Sequence, residues 1–300
     1  MKIVILSKGP GNYSTKRLKQ EAIEHGHDVR VINYAKCYIS VENDKPTVKY
    51  EGEYISDIDV IIPRIASSLT KYGGSIVRQF EMMGVYTTTK SIALVRSRDK
   101  LRSLQILAKA GVGIPKTVFS RETDEIDDIL DQVGGTPVII KVARGTHGKG
   151  VVLAETRKAA KAVMQAFYVE GVSFLIQEFI TETAGTDIRA FVIGSQVVAS
   201  MERQSLDDDF RSNLHQGAEG TPIKLTDEEK KLVLKAARAM GLQICGVDMV
   251  RSARGPLILE VNVSPGFGIE KITGRNVAGK IIEYVEKNAK QRQRKDRVGA

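Results

Sequence analysis

Residues 246–262, GVDMVRSARGPLILEVN, constrain the fold of this chain more than any other stretch. Two apolar runs are joined by Ser-Ala-Arg-Gly, the first carrying a single acid and the second ending in Glu-x-Asn. If the stretch is a β-hairpin turning at Arg254, Asp248 falls opposite Glu260 and Gly246 opposite Asn262. Side chains alternate across a strand and cross-strand partners share a face, so the three polar groups converge. The other face holds Val247, Met249, Leu259 and Val261. Carboxylates are costly to bury unless paired or bound to a cation, and an all-oxygen set favours a hard ion such as Mg²⁺ or Mn²⁺. Asp248, Glu260 and Asn262 are therefore the expected metal ligands, with a solvated sheet face as the alternative.

A chain of 300 residues is too long for one ordinary core and implies two or three lobes, enough to enclose a small-molecule cleft. Cys37 and Cys245 lie far apart in apolar contexts with neither metal-ligand nor disulfide spacing, which suits a reducing compartment. No stretch approaches the length of a membrane span, and the first apolar run is too short for a signal segment, so no membrane partner and a cytoplasmic location are expected. The net charge of +9 is concentrated at the end of the chain, where Lys287, Lys290, Arg292, Arg294, Lys295 and Arg297 face only Asp296. Such a run reads as a solvated helix end, or as a patch that steers an acidic partner or ribosomal RNA. Without interleaved aromatics it does not point to sequence-specific nucleic-acid binding.

Residues 2–7 read as a buried strand, followed by a helix from about Ser14 to His25 and strands near 29–32 and 60–65, with an irregular insert over about 37–58. Strands alternating with helices predict a parallel, helix-covered sheet. The loop Lys8-Gly9-Pro10-Gly11-Asn12 does not fit GxGxxG, and no acid ends the second strand, which argues against a nicotinamide site. From Ser97 the pattern changes: a helix over 98–110, a strand at 114–119, an acidic helix over 122–133, then PVIIKV, a glycine-rich loop and VVLAE. Thr156 is placed to cap the next helix, and FLIQEFI, DIRAFVIG and QVVASMERQ read as antiparallel strands. A mobile polar loop is expected over 205–222, a capping box at Thr226–Glu229, and a last helix from about Asn276.

Lys141 ends a β-branched run and is followed by Arg144-Gly145-Thr146-His147-Gly148-Lys149-Gly150. Glycines let backbone amides approach phosphate oxygens, and a neighbouring lysine adds a compact positive charge. The segment is not a P-loop, since it lacks GxxxxGK[ST] and leads into a strand; taken alone it reads equally as a hairpin turn. Lys100, Lys141, the glycine loop, Glu178-Phe179-Ile180 and the later carboxylate pair together supply what nucleotide–metal chemistry requires.

Lys100 in RDKLRSLQILAKAGVGIPKT, Lys141 with GTHGKG, QEFI, Asp187-Ile-Arg189, FRSNLH and Asp248…Glu260-Val261-Asn262 resemble the ATP-grasp carboxylate–amine ligases, most closely the RimK type, the ribosomal protein glutamate ligases. The resemblance implies an α/β ATP-grasp fold with α+β lobes: an N-terminal Rossmann-like pre-ATP-grasp domain (1–96), an ATP-grasp domain (97–290; small lobe about 112–180, large lobe about 181–290) and a basic tail (291–300). It also implies ATP as cosubstrate with two Mg²⁺ or Mn²⁺. By the same resemblance Lys100 and Lys141 contact phosphates and a loop including Gly145, Gly148 and Gly150 closes over them. Glu178 and Phe179 border adenine, Asp187 binds the nucleotide, Asp248 holds one metal, Glu260 bridges both and Asn262 holds the second. Arg189, Arg211 and Asn213 stabilise the acyl phosphate and its tetrahedral successor, and Ser212 lies with Arg211 and Asn213 in the nucleotide-binding segment.

The implied partners are L-glutamate and, as acceptor, the C-terminal tail of small-subunit ribosomal protein six, with poly-alpha-glutamate as a further product and a homo-oligomer, a tetramer, as the assembly. Arg203 and Arg211 are cations available for acidic substrates. Two features depart from the RimK pattern: PGFGIE is a shortened turn beside Asn262, and Arg144 and Lys149 stand where an acid and an apolar residue are expected. The shortened turn bears on acceptor recognition. The competing readings are an ATP-grasp ligase acting on a cofactor or amino-group carrier protein, and a non-catalytic nucleotide-binding, ribosome-associated protein.

Overall fold

The computed structural model describes residues 1–43, 45–122, 124–143, 150–183, 185–205 and 219–295, with side chains to 289 in the last helix. The first sheet is parallel, in the order β2 (Asp28–Ile32), β1 (Lys2–Ser7), β6 (Val60–Arg64), β7 (Tyr86–Thr87). Helices α1 (Tyr13–Glu24) and α2 (Thr70–Met82) lie between its strands in sequence, as the alternating pattern predicts. The insert is not irregular: β3 (Cys37–Ser40), β4 (Thr47–Tyr50) and β5 (Glu53–Tyr54) form a small antiparallel sheet of their own. Its strands, two to four residues long, are too short for period-two alternation to show. The helix expected over 98–110 forms as α4 (Lys100–Lys109), and a further helix, α3 (Ser91–Arg98), ends just before it at Asp99, whose side chain accepts the Arg102 N–H at 3.0 Å. This N-cap makes Lys100 the first residue of a helix.

A second sheet orders as β10 (Val151–Ala154), β9 (Val138–Val142), β11 (Phe174–Glu178), β8 (Thr117–Ser120), all antiparallel. Helices α5 (Ile126–Gln132) and α6 (Arg157–Val169) pack on one face around Leu130, Ala160, Met164 and Phe174. Thr156 caps α6 by accepting the Ala159 N–H at 3.2 Å. The opposite face of this sheet carries Lys141 and Gln177.

The third sheet runs β14 (Glu219–Pro222), β13 (Gln196–Gln204), β12 (Thr186–Ile193), β15 (Ile244–Ser252), β16 (Gly255–Asn262). β14 occupies the end of what the sequence suggests is loop; the remainder of that loop lies outside the described residues. Helix α7 (Asp227–Met240) opens on the expected capping box, with Thr226 accepting the Glu229 N–H and Glu229 reaching back to the Thr226 N–H at 2.8 Å. After β16 a six-residue helix, α8 (Gly268–Thr273), precedes α9 (Val277–Lys295). Phe267, in the turn after β16, is 1 % exposed and meets Phe191 edge-on at 5.7 Å. One core cluster runs from the first sheet through α7 into the third, tying both parts of the chain together. Cys37 and Cys245 are both buried in apolar surroundings, and burial pushes the two thiols up, to about 11 and about 12. Among the described residues no helix is long and apolar enough to cross a membrane.

Candidate active site

The β15–β16 hairpin forms, but its register depends on a feature that alternation does not reveal. Ser252 pairs with Gly255, leaving Ala253 and Arg254 as a two-residue turn, and Met249 pairs with Ile258. Continued without interruption, that register would set Asp248 opposite Leu259. A one-residue shift after Met249 instead pairs Asp248 with Glu260, Val247 with Val261 and Gly246 with Asn262. The extra residue is Leu259, so Leu259 leaves the apolar face where alternation puts it and lines the cleft, while Ile258 takes the core position. A bulge adds one residue to one strand and re-aims the side chains beyond it. Here it brings the two carboxylates together.

Asn262 Nδ2 donates to Glu260 Oε1 at 2.7 Å and to Asp248 Oδ2 at 3.2 Å, so all three expected ligands are within hydrogen-bond reach. Asp248 is only 3 % exposed, and two arginines serve it. Arg189, its neighbour on β12, donates Nε to Oδ1 at 2.6 Å and Nη2 to Oδ2, and Arg203 Nη2 lies 3.1 Å from Oδ2. Burial alone would raise the Asp248 pKa, but these two guanidinium groups reverse that and hold it well below the usual carboxylate range. No group of three or more His, Cys, Asp or Glu able to hold a metal occurs among the described residues. Two acids and an amide nevertheless fit a Mg²⁺-type ion, which commonly takes one or two carboxylates and completes its shell with water and phosphate oxygens.

Arg203 is not the cleft cation that its type suggests. It is 2 % exposed, and its Nε donates to Asp187 Oδ1 at 2.7 Å while Nη2 reaches both Asp187 and Asp248. Burial disfavours its charge, but the two carboxylates outweigh this and raise its pKa. Asp187 and Asp248, expected to serve nucleotide and metal respectively, are thus joined through one buried guanidinium.

Lys100 and Lys141 line a single cleft with Leu259, Glu260 and Asn262, a space of about 580 Å³ open to solvent. Lys100 Nζ donates to the Val142 carbonyl at 3.1 Å. Lys141 Nζ donates to Gln177 Oε1 at 2.7 Å, and Gln177 is itself fixed by donating to Thr117 Oγ1 at 2.9 Å. Gln177, 3 % exposed, escapes a reading by residue type; its only sequence signal is a polar residue inside the apolar run FLIQE. Desolvation lowers the pKa of both lysines, bringing Lys141 to about 8 despite the attraction of Glu260 and with a further push from Lys100.

Glu178 is not among the residues that line this cleft: its carboxylate accepts the Lys116 N–H at 2.8 Å and pairs with Arg254 of the hairpin turn, binding the second sheet to the third. Phe179 comes directly after β11. Gly150 closes the base of the glycine loop, its carbonyl accepting the Val142 N–H at 2.9 Å. At φ +72° an added Cβ would meet Val142 Cγ2 at 2.5 Å, so only glycine fits. Gly145, Gly148, Arg211, Ser212 and Asn213 lie outside the described residues.

If Lys141 contacts a nucleotide phosphate, as the resemblance implies, its environment predicts a pH dependence of nucleotide affinity. A free-protein pKa near 8 means that the charge is lost as pH rises through 8, so ADP affinity should fall above it. The loss is at most about tenfold per pH unit. Lys141→Arg, which stays protonated, should flatten the dependence. Calorimetric ADP titrations between pH 7 and 9.5 distinguish the two proteins; parallel curves would remove Lys141 as the titrating group.

The RimK PreATP-grasp domain model matches residues 1–94 and the RimK-like ATP-grasp domain model matches residues 97–285. A Vibrio cholerae protein described as a probable alpha-L-glutamate ligase is 51% identical over 298 residues, covering 99% of each chain. One of the same description from Picosynechococcus is 52% identical over 299 residues, again covering 99% of each. Among solved structures, the ATP-grasp ligase PsnB complexed with minimal precursor, Mg and ADP is similar with a TM-score of 0.75 at 18% identity, covering 96% of this chain and 98% of that one. The D-alanine–D-alanine ligase of Bacillus anthracis gives 0.67 at 17% identity, covering 98% and 99%. These two structures speak to the ATP-grasp fold alone. With two family models matching in succession and relatives of half-identical sequence matching almost end to end, the chain belongs to the RimK-like ATP-grasp ligases.

Proposed function

We propose that this chain is an ATP-dependent alpha-L-glutamate ligase that extends a C-terminal carboxylate, with ATP as cosubstrate and two Mg²⁺ or Mn²⁺ held by Asp248, Glu260 and Asn262. The observation that carries this reading is the sharing of one cleft by Lys100, Lys141 and the hairpin donors Glu260 and Asn262. The lysines supply cations for a triphosphate, and bound metal would neutralise charge on the transferred phosphoryl group. The acceptor carboxylate attacks the γ-phosphorus, the β–γ bond breaks and ADP leaves. The amine of glutamate then attacks the acyl carbon, phosphate departs and the amine loses a proton. Activation is required because a free carboxylate is a poor electrophile, and the protein contributes alignment and electrostatics rather than a covalent nucleophile.

Arg189 spends Nε and Nη2 on Asp248, so its remaining nitrogen is the part available to an acyl phosphate. Phosphate contact by Gly145, Gly148 and Gly150, adenine contact at Glu178 and Phe179, nucleotide binding by Asp187 and by residues 211–213, and transition-state roles for Arg211 and Asn213 belong to the same reading. The working division is a pre-ATP-grasp part to residue 96 and an ATP-grasp part from 97 to 290, ahead of a basic tail. The acceptor is the tail of small-subunit ribosomal protein six, with poly-alpha-glutamate as a further product, and the assembly is a homo-oligomer, a tetramer, in the cytoplasm.

Purified protein incubated with ATP, Mg²⁺ and glutamate, with and without that ribosomal protein, tests the proposal by mass spectrometry. Glutamyl increments on the ribosomal protein are expected. Free glutamate chains with an unmodified ribosomal protein would reject the acceptor, and no glutamate-dependent ADP release with either would reject the ligase.

A further inference from the structure

Beside the cleft that Lys100 and Lys141 line stands a second group of cations, Arg64 and Arg98, neither of which is among that cleft's lining residues. Arg64, at the end of β6, donates Nη2 to the Pro265 carbonyl at 2.6 Å and lies over the Phe267 ring, 5.0 Å from its centroid. Arg98, the last residue of α3, donates Nη2 to the Ile65 carbonyl at 2.9 Å. Its Nε is buried without a hydrogen-bond partner, as is the Oγ of Ser264, the residue before Pro265. Among the described residues, neither arginine pairs with a carboxylate.

Buried polar atoms almost always find partners, and two neighbouring guanidinium groups without an acid repel each other at a cost. Desolvation lowers the pKa of both, and the charge of Arg98 depresses Arg64 further, to about 10. Glu260 acts electrostatically on Arg98 as it does on Lys100 and Lys141, so its carboxylate lies within electrostatic reach of both cation groups. An anion with planar, paired oxygens would satisfy Arg98 Nε and relieve the repulsion, since arginine is built for carboxylate. The open positions are shut off from water. That suits a small molecule enclosed whole better than a polypeptide tail, which has to leave the site.

We propose that Arg98 and Arg64, with the Ser264 hydroxyl, form the subsite for a non-reacting carboxylate of the incoming dicarboxylic amino acid. This rests on the glutamate-ligase reading and assigns its amine donor a place at the junction of the N-terminal sheet with the turn after β16. The donor's amine is then directed toward Glu260 and the phosphate side of the cleft, where the activated acyl group forms.

The test uses the full chain, L-glutamate, and glutarate, which has both carboxylates but no amine. Glutarate should bind the ADP-loaded protein in calorimetry and compete with glutamate in turnover. Arg98→Gln and Ser264→Ala should each weaken glutarate binding and raise the KM for glutamate by about 10- to 100-fold, the value of a hydrogen bond to a charged group. The KM for ATP should stay near wild type. Ser264→Ala removes one oxygen and serves where Arg98→Gln does not fold, as judged by ADP binding. Unchanged glutarate affinity in the folded variant overturns the subsite, as does a rise in the KM for the acceptor instead of glutamate. A wild-type protein that ligates glutamate but does not bind glutarate also overturns it while leaving the ligase reading intact. A protein that binds glutarate but releases no ADP with glutamate overturns the ligase reading while the subsite stands.

Discussion

Glu260→Gln should cost about 10²- to 10³-fold in kcat while changing nucleotide affinity by less than about tenfold, an imbalance expected when a group acts mainly on charge that develops during reaction. Glutamine keeps the size of the side chain and an oxygen that can accept from Asn262 Nδ2, the 2.7 Å bond that now joins the two residues. What disappears is the negative charge that Lys100, Lys141 and Arg98 all feel. The lysines keep their own positions, because Lys100 is held by the Val142 carbonyl and Lys141 by Gln177. On the proposed reading ATP therefore still finds its cations. A bound divalent ion, however, loses one of only two carboxylates in the set. Single-turnover phosphoryl transfer and ADP titration, measured on the same preparation, read the two effects separately. Wild-type-like turnover in this variant would refute the metal-bridging assignment, and an equal loss in binding and turnover would make Glu260 a general electrostatic anchor.

The cleft is legible in the sequence where the chemistry is carried by residue type and alternation together. Asp248, Glu260 and Asn262 can be placed on one face because β15 and β16 are long enough for period two to be visible. Even there the pairing is right for a reason the letters do not display. A hairpin turning symmetrically about Arg254 and a tighter two-residue turn followed by a bulge at Leu259 give the same Asp248–Glu260 pair, and only coordinates separate them. The small sheet of β3, β4 and β5 is hidden because two- to four-residue strands carry no readable period. Arg203 misleads for a different reason. Its type suggests a solvent-facing cation, and nothing local indicates that its cross-strand partner Asp187 and the β15 acid Asp248 enclose it. Gln177 and Arg98 likewise acquire meaning only from partners that are distant in sequence, Lys141 and Ile65. Long-range polar pairing is the part of a site that propensity and pattern cannot supply.

Arg203→Leu should destabilise the fold by about 3–5 kcal/mol, because removing one member of a buried ion cluster takes a cationic partner from carboxylates that stay desolvated. Arg203 is 2 % exposed, so solvent does not screen this loss appreciably. Asp187 loses both hydrogen bonds from the guanidinium, and Asp248 loses one of its two cationic partners. Asp248 keeps Arg189, which limits the loss there. The sign of the Asp248 shift sets the pH dependence. Its pKa is depressed in the folded protein, so its contribution is present at pH above the ordinary carboxylate value and is lost as pH falls below it. The wild type should therefore exceed the variant most at neutral pH, with the gap narrowing as pH drops through about 4, where unfolded-state aspartates protonate. Urea unfolding at pH 7 and at pH 4.5 and below provides the comparison. A gap that is small at pH 7, or one that widens in acid, would mean that Asp187 and Asp248 do not depend on Arg203 for their charge.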